Sequence, residues 1–277
     1  MLADLFSSES VTSGHPDKLC DAISDAIVDA CLRVDANARV AVETCVKGKN
    51  DISLIVLAGE VSLVGETPDY QEIARSTAAS IGYTSHDIGM DASSTELCDV
   101  QVHITTQAAN IAQGVNKDGL QQGAGDQGLM FGYACTETES FPELKGRYFP
   151  LAAALSQKLT RRLSAVREQK ILPWARPDGK SQVTVEYDED GNIKGVHTVI
   201  IAIQHDKNLK NQFDGDEARE LEFVKDQITK HVVKHSIPEQ LLGVDCNIVV
   251  NGTGRFADPG GPYADAGLTG RKIIVDT

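Results

Sequence analysis

Two short loops carry more chemistry per residue than anything else in the chain: Gly14-His15-Pro16-Asp17-Lys18 and Gly123-Ala124-Gly125-Asp126-Gln127-Gly128. Each sets a carboxylate among residues chosen for backbone shape, and the first adds an imidazole and an ammonium. A folding domain gains little from crowding His, Pro, Asp and Lys together. A polyphosphate site, in contrast, needs a proton donor, a Mg²⁺ ligand and a cation side by side.

Three further segments are polar beyond the needs of packing. Pro173-Trp174-Ala175-Arg176-Pro177-Asp178-Gly179-Lys180 sets Asp178 and Lys180 at the mouth of a strand, where an exposed turn is the competing reading. Asn251-Gly252-Thr253-Gly254-Arg255-Phe256 joins a guanidinium, suited to phosphate, to a ring suited to stacking on a base. Asp265-Ala266-Gly267-Leu268-Thr269-Gly270-Arg271-Lys272 offers glycines for close backbone approach, then adjacent cations. Neither a Walker A loop nor a Gly-x-Gly-x-x-Gly after a strand is present, so a nucleotide site here is of another type.

The elements that must position these loops follow from periodicity. Apolar residues at Leu19, Ile23, Ala26, Ile27, Ala30 and Cys31 predict a helix from Lys18 to about Asp35, with Asp21, Asp25 and Asp29 on its other side. Pro16 and Asp17 suit a helix start, which places His15 at an N-terminus that favours anions. Val- and Ile-rich runs at 38–46 and 52–61 predict two strands, with Glu43 and Glu60 inside them; a helix over 70–81 and a strand over 100–106 complete the unit. From Gln107 to Gln122 periodicity is lost, which predicts a surface loop of the kind used as lids.

A strand at 129–134, a helix at 150–169, strands at 181–187 and 196–204 joined by a hairpin turn at Asp188–Asn192, and a helix at 216–235 make a second unit in similar order. A third begins with a strand at 247–250 and reaches strand-like sequence at 272–276. The expected organisation is an N-terminal unit over 1–110, a gating loop or linker over 111–122, a central unit over 123–242 and the start of a third over 243–277.

Composition narrows the classes. A net charge of −14 argues against nucleic acid, whose phosphates are bound through clustered Lys and Arg. No apolar run is long enough to span a bilayer and the first residues lack a signal peptide's pattern, so a cytoplasmic location is expected. The six cysteines lack paired C-x-x-C spacing and read as reduced structural residues.

Taken together, Glu9-Ser10-Val11 through Lys18, Gly123 through Tyr133, Leu172-Pro173-Trp174 through Val183, and Gly267 through Thr277 resemble the methionine adenosyltransferase (S-adenosylmethionine synthetase) family in its bacterial-type form, in family order across the chain. The resemblance implies an α+β fold of three pseudo-repeated units, each a mixed β-sheet with helices on one face. It also implies a homodimer or dimer of dimers with active sites between subunits. The implied reaction is attack of the methionine sulfur on C5′ of ATP, then hydrolysis of the expelled triphosphate to pyrophosphate and phosphate, with Mg²⁺ and K⁺.

By the same resemblance His15 sits near the departing oxygen as an acid-type group, Asp17 binds Mg²⁺, and Glu43 belongs to a K⁺ site. Glu60 and Gln107 hold methionine, with Asp126 near its amino group. Asp178 and Lys180 contact the nucleotide, Phe256 stacks on adenine, and Asp265 contacts adenosine or methionine. Arg255, Arg271 and Lys272 neutralise triphosphate; Lys180, Arg271 and Lys272 join His15 as catalytic groups, and the loop from Gln107 is the gate.

The chain departs from the family pattern at Gly252, where Pro is usual, and in the Phe256–Gly261 run, one residue longer. The family continues past Asp276-Thr277 with a glycine-rich loop carrying further lysines and a second Mg²⁺ ligand, so the expectation is a chain truncated at its C-terminus. A non-catalytic nucleotide-binding relative and a tripolyphosphate hydrolase without alkyl transfer are the alternatives.

Overall fold

The computed structural model describes residues 4–49, 52–106, 128–257 and 259–276. Two four-stranded mixed sheets each carry helices on one face. The elements of the first half are β1 (Asp4–Val11), α1 (Pro16–Val34), β2 (Arg39–Lys49), β3 (Ile52–Ser62), α2 (Tyr70–Ile81), a two-strand ribbon of β4 (Thr84–Ser85) and β5 (Met90–Asp91), and β6 (Cys98–Thr105). Then come α3 (Leu151–Glu168), β7 (Ala175–Tyr187), β8 (Ile193–His205), α4 (Glu217–Ile228), β9 (Asn247–Val250) and β10 (Gly267–Leu268).

The sheet orders are β10-β2-β3-β6 and β1-β7-β8-β9. In each, the last pair is parallel and the others antiparallel. Two strands therefore cross between halves. β1 pairs along its whole length with β7, Asp4 opposite Tyr187 and Val11 opposite Lys180, while β10 sits beside Cys45 and Val46 of β2.

Alternation along the strands separates core from surface. Val42, Thr44 and Val46 of β2 and Ser53, Ile55 and Leu57 of β3 are buried under α1 and α2, whose Leu19, Cys20, Ile23, Ile27, Ala74 and Ala78 complete this core. A second core packs Leu151, Leu155, Leu159 and Leu163 of α3 against Val183, Val185, Val199 and Ile201. Each such leucine stabilises the fold by roughly 1.5–3 kcal/mol relative to exposure. All six cysteines are free thiols, as their spacing suggests.

The helix ends explain themselves. Asp69 accepts from the N–H groups of Gln71 and Glu72 to start α2, and Asp216 does the same for Ala218 and Arg219 in α4. Gly82, with φ of 121°, ends α2 in a conformation that a side chain would strain. Past Ile228 the helix continues as a π-turn, Thr229–Val233, and then Lys234–Ser236. Among the described residues no helix is long and apolar enough to cross a membrane.

Two expected strands are not strands. The segment 129–134 has no sheet pairing, and Leu129, Met130 and Phe131 are 81%, 92% and 91% exposed: its apolar character finds no strand edge or core within the described chain. The segment 272–276 forms a helical turn, Ile273–Asp276, because the Lys18 ammonium holds the Asp276 carboxylate at 2.6 Å and Gln157 Nε2 donates to the Val275 carbonyl at 3.2 Å.

Candidate active site

The site builds up from the N-terminus of α1. His15 is the N-cap, and its Nδ1 accepts the N–H of Asp17 at 3.2 Å. A ring nitrogen that accepts carries no proton, so the neutral imidazole holds its hydrogen on Nε2 and presents a donor there. Burial, and then the Lys272 ammonium, push the His15 pKa down to about 4. His15 is thus a neutral donor at pH 7.

Two residues on, Asp17 is 1% exposed. The Lys272 ammonium lies 2.6 Å from Oδ2, Arg271 Nε lies 3.6 Å from Oδ1, and the Leu268 N–H donates to Oδ1 at 3.0 Å. Burial alone would raise this carboxyl's pKa; the hydrogen bonds from Lys272 and Leu268 outweigh it, and the net shift is downward. Next door, Lys18 pairs with Asp21 at 2.9 Å, and Asp21 Oδ1 takes the Gly270 N–H at 2.8 Å. The 267–272 segment is in this way tied to the first turns of α1.

Close backbone approach makes this possible. A Cβ on Gly267 would lie 2.1 Å from the Pro16 carbonyl oxygen. The glycine is needed for approach to its own chain rather than to a ligand. Thr269 Oγ1 receives the Thr44 N–H at 2.9 Å and bonds Ser24 Oγ at the same distance, which fixes the turn after β10 to β2 and α1.

The second wall comes from β7. Its register against β8 slips between Ala175 and Gly179, where Pro177 has no N–H to give a ladder. That irregularity turns Asp178 inward. The segment is therefore a buried strand entrance and not the exposed turn of the competing reading: Asp178 is 8% exposed, and its Oδ2 accepts the Gly261 N–H at 2.9 Å. Burial raises its pKa to about 6, against the opposing pull of that hydrogen bond. Thr12 bolts the wall to the His15 loop, its hydroxyl donating to the carbonyls of Pro177 at 2.6 Å and Gly179 at 3.2 Å. Lys180 lies opposite Val11, and its charge, like those of Lys272 and Asp265, is felt by His15.

His15, Asp17, Asp178, Lys180, Asp265, Arg271 and Lys272 thus converge at the seam where β1 and β10 cross between the two sheets. Three other expected residues stand elsewhere. Glu43 and Glu60 are exposed on the outward face of the first sheet, at diagonal positions across β2 and β3. Arg255 turns into the second core: its Nε lies 2.6 Å from Oε2 of Glu220, which is 0% exposed, and its guanidinium also donates to the Lys207 carbonyl.

The Arg255 placement follows from its neighbour. Asn251, at φ 47°, accepts the Ile203 N–H at 2.9 Å and donates to the Ile203 carbonyl at 3.1 Å, so the loop folds back over β8. Phe256 is half-buried beside Gly260, and its carbonyl accepts the His205 N–H at 2.9 Å. Gln107, Asp126, the loop over 111–122 and most of the second glycine motif lie outside the described residues. Sequence reasoning missed Thr12 and the main-chain donors of Leu268 and Gly261; the last two carry no side-chain signal at all.

Two family models match the chain. Residues 3–109 match the model for the N-terminal domain of S-adenosylmethionine synthetase, and residues 121–256 match the model for its central domain. The two matches follow one another in order and together take in most of the 277 residues. The chain belongs to the S-adenosylmethionine synthetase family.

Proposed function

We propose that this protein makes S-adenosylmethionine from ATP and L-methionine by direct attack of the methionine sulfur on C5′ of ATP. The sulfur lone pair forms the S–C5′ bond, the C5′–O5′ electrons leave with the triphosphate, and water then divides the triphosphate into pyrophosphate and phosphate. The observation that carries this reading is the gathering of Arg271 and Lys272, both on Asp17, with Lys180 and the His15 donor at one helix N-terminus.

A thioether is a neutral nucleophile and needs no base to remove a proton. Acceleration must come from alignment and from stabilising charge on the leaving group. In this reading His15 Nε2–H donates to the departing oxygen as a neutral imidazole, with no proton transferred at pH 7. Arg271, Lys272 and Lys180 share the phosphate charge, and the N-terminus of α1 adds its own positive end. Asp178 binds the nucleotide, Phe256 stacks on adenine, and Asp265 contacts adenosine or methionine. With the site completed between subunits, Glu60 on the outward sheet face, together with Gln107 and Asp126, holds methionine.

Among the described residues no group of three or more His, Cys, Asp and Glu side chains could hold a metal by itself. Mg²⁺ at phosphate sites is usually held by one or two carboxylates together with the substrate's phosphates, and the buried carboxylate of Asp17 fits that mode. Glu43 would contribute to K⁺ binding from the outward sheet face. Bound Mg²⁺ would supply further neutralisation of the triphosphate. The exposed apolar side chains of Leu129, Met130 and Phe131 support assembly as a homodimer or dimer of dimers.

Incubation with ATP, L-methionine, Mg²⁺ and K⁺, followed by mass spectrometry, tests the reading. A methionine-dependent product with the mass of S-adenosylmethionine is expected; phosphate release from ATP or tripolyphosphate with no such product would overturn it.

A further inference from the structure

We propose that Tyr83 is a positioning residue of this site: one buried phenol that sets the His15 loop and the Asp178 anchor relative to each other, from an element that contributes no group to the site itself. The inference rests on the proposed reading only where catalysis is measured.

Tyr83 directly follows Gly82, the residue that ends α2, and it is fully buried. Its hydroxyl donates to the carbonyl of Gly14, the residue before the His15 cap. The same ring lies against Gly261, where a Cβ would stand 2.4 Å from the phenol oxygen and 2.6 Å from Cε1. Gly261 is the residue whose N–H holds Asp178. One side chain thus touches the backbone on both walls: the loop that presents the imidazole, and the turn that orients the carboxylate.

The surroundings make the contact hard to replace. A Cβ on Gly82 would lie 3.0 Å from Pro177 Cγ, and one on Gly14 would lie 2.4 Å from the Pro177 main chain. The end of α2, the His15 loop and the entrance to β7 therefore meet at one three-way joint with no spare volume. Among the described residues no second donor reaches the Gly14 carbonyl. Burial keeps the phenol far above its ordinary pKa, so it remains a donor across the working pH range. Loss of the hydroxyl leaves a buried carbonyl unpaired, and the loop can answer only by shifting away from the joint.

The residue differs in this from Tyr70, the other buried tyrosine of the same unit. Tyr70 places its hydroxyl 3.9 Å from Cys31 Sγ, in the core between α1 and α2. Tyr70→Phe is therefore the matched control: the same atom removed from the same core, without a backbone partner in the site.

The test compares amide hydrogen exchange in the wild type, Tyr83→Phe and Tyr70→Phe, in the absence of substrate. In Tyr83→Phe, exchange is expected to rise about tenfold or more in peptides covering 12–19 and 261–266 together, while Tyr70→Phe leaves both within about twofold of wild type. Unchanged exchange in either peptide of Tyr83→Phe, or equal increases in both variants, overturns the inference. Steady-state kinetics add a second readout: kcat for Tyr83→Phe should fall about tenfold or more with KM for methionine within about twofold, the pattern of a misplaced transition-state group. A wild type without methionine-dependent product refutes the functional reading, and the exchange data still decide the role of Tyr83.

Discussion

Replacing Lys272 by Met removes an ammonium while keeping most of its stem, and it isolates the buried carboxylate at the centre of the site. With Nζ 2.6 Å from Asp17 Oδ2, the gross attraction is about 6 kcal/mol at an effective dielectric constant near 20. Stranding one partner of a buried pair typically costs about 3–5 kcal/mol. Arg271, at 3.6 Å, and the Leu268 N–H remain to soften the loss, so Lys272→Met should destabilise the fold by about 2–4 kcal/mol at pH 7.

The pH dependence carries the sign. In the wild type the Asp17 pKa lies below its ordinary value, so its contribution is present above the unfolded pKa and fades as pH falls through the folded one. Without Lys272 the desolvation of a carboxyl 1% exposed dominates and the folded pKa moves above the unfolded value. Ionising Asp17 then costs stability as pH rises. The gap between wild type and variant should widen from pH 4 to pH 7, and Asp17→Asn in the Lys272→Met background should restore at least about half of it. Urea unfolding at several pH values measures this. A penalty that is flat in pH, or a double variant no more stable than the single one, would refute the reasoning.

His15→Asn separates the cap from the chemistry: asparagine caps helices well, so stability should stay within about 0.5 kcal/mol while kcat falls by roughly 10²-fold or more. Calorimetry beside turnover measurements checks both halves. Arg255→Met, which strands the buried carboxylate of Glu220, should cost about 3–5 kcal/mol of stability. A rise in KM for ATP at unchanged melting temperature would instead place Arg255 on phosphate. Because burial raises the Asp178 pKa to about 6, this group withdraws stability as pH climbs from the ordinary carboxyl range toward that value and adds no slope above it; Asp178→Asn should flatten the decline, as seen in melting temperatures between about pH 4 and pH 6.

What was legible in the sequence was local. The spacing from Leu19 to Cys31 announced α1, the Val- and Ile-rich runs announced β2 and β3, and Asp188 to Asn192 announced the β7–β8 hairpin, whose Asp188 carboxylate accepts the N–H groups of Asp190 and Asn192. What was not legible depended on distant partners. β1 reads as a polar run because its serines are satisfied across the fold, the exposed Ser7 by Thr184 at 2.8 Å and the buried Ser10 by Thr160 at 3.0 Å. The same holds for the site. His15, Asp17, Asp178 and Lys272 drew notice by type and spacing, whereas the inward turn of Arg255 is set by Asn251 and Glu220, and neither residue signals it alone.

The central claim is displacement at C5′ with loss of the entire triphosphate. ATP carrying ¹⁸O in the bridge between C5′ and the α-phosphorus tests it most directly. The account predicts that all of the label leaves in the phosphate products and none stays with the nucleoside, while S-adenosylmethionine accumulates in step. Label retained on an adenosine-containing product would mean that a phosphorus–oxygen bond breaks instead, and would contradict it.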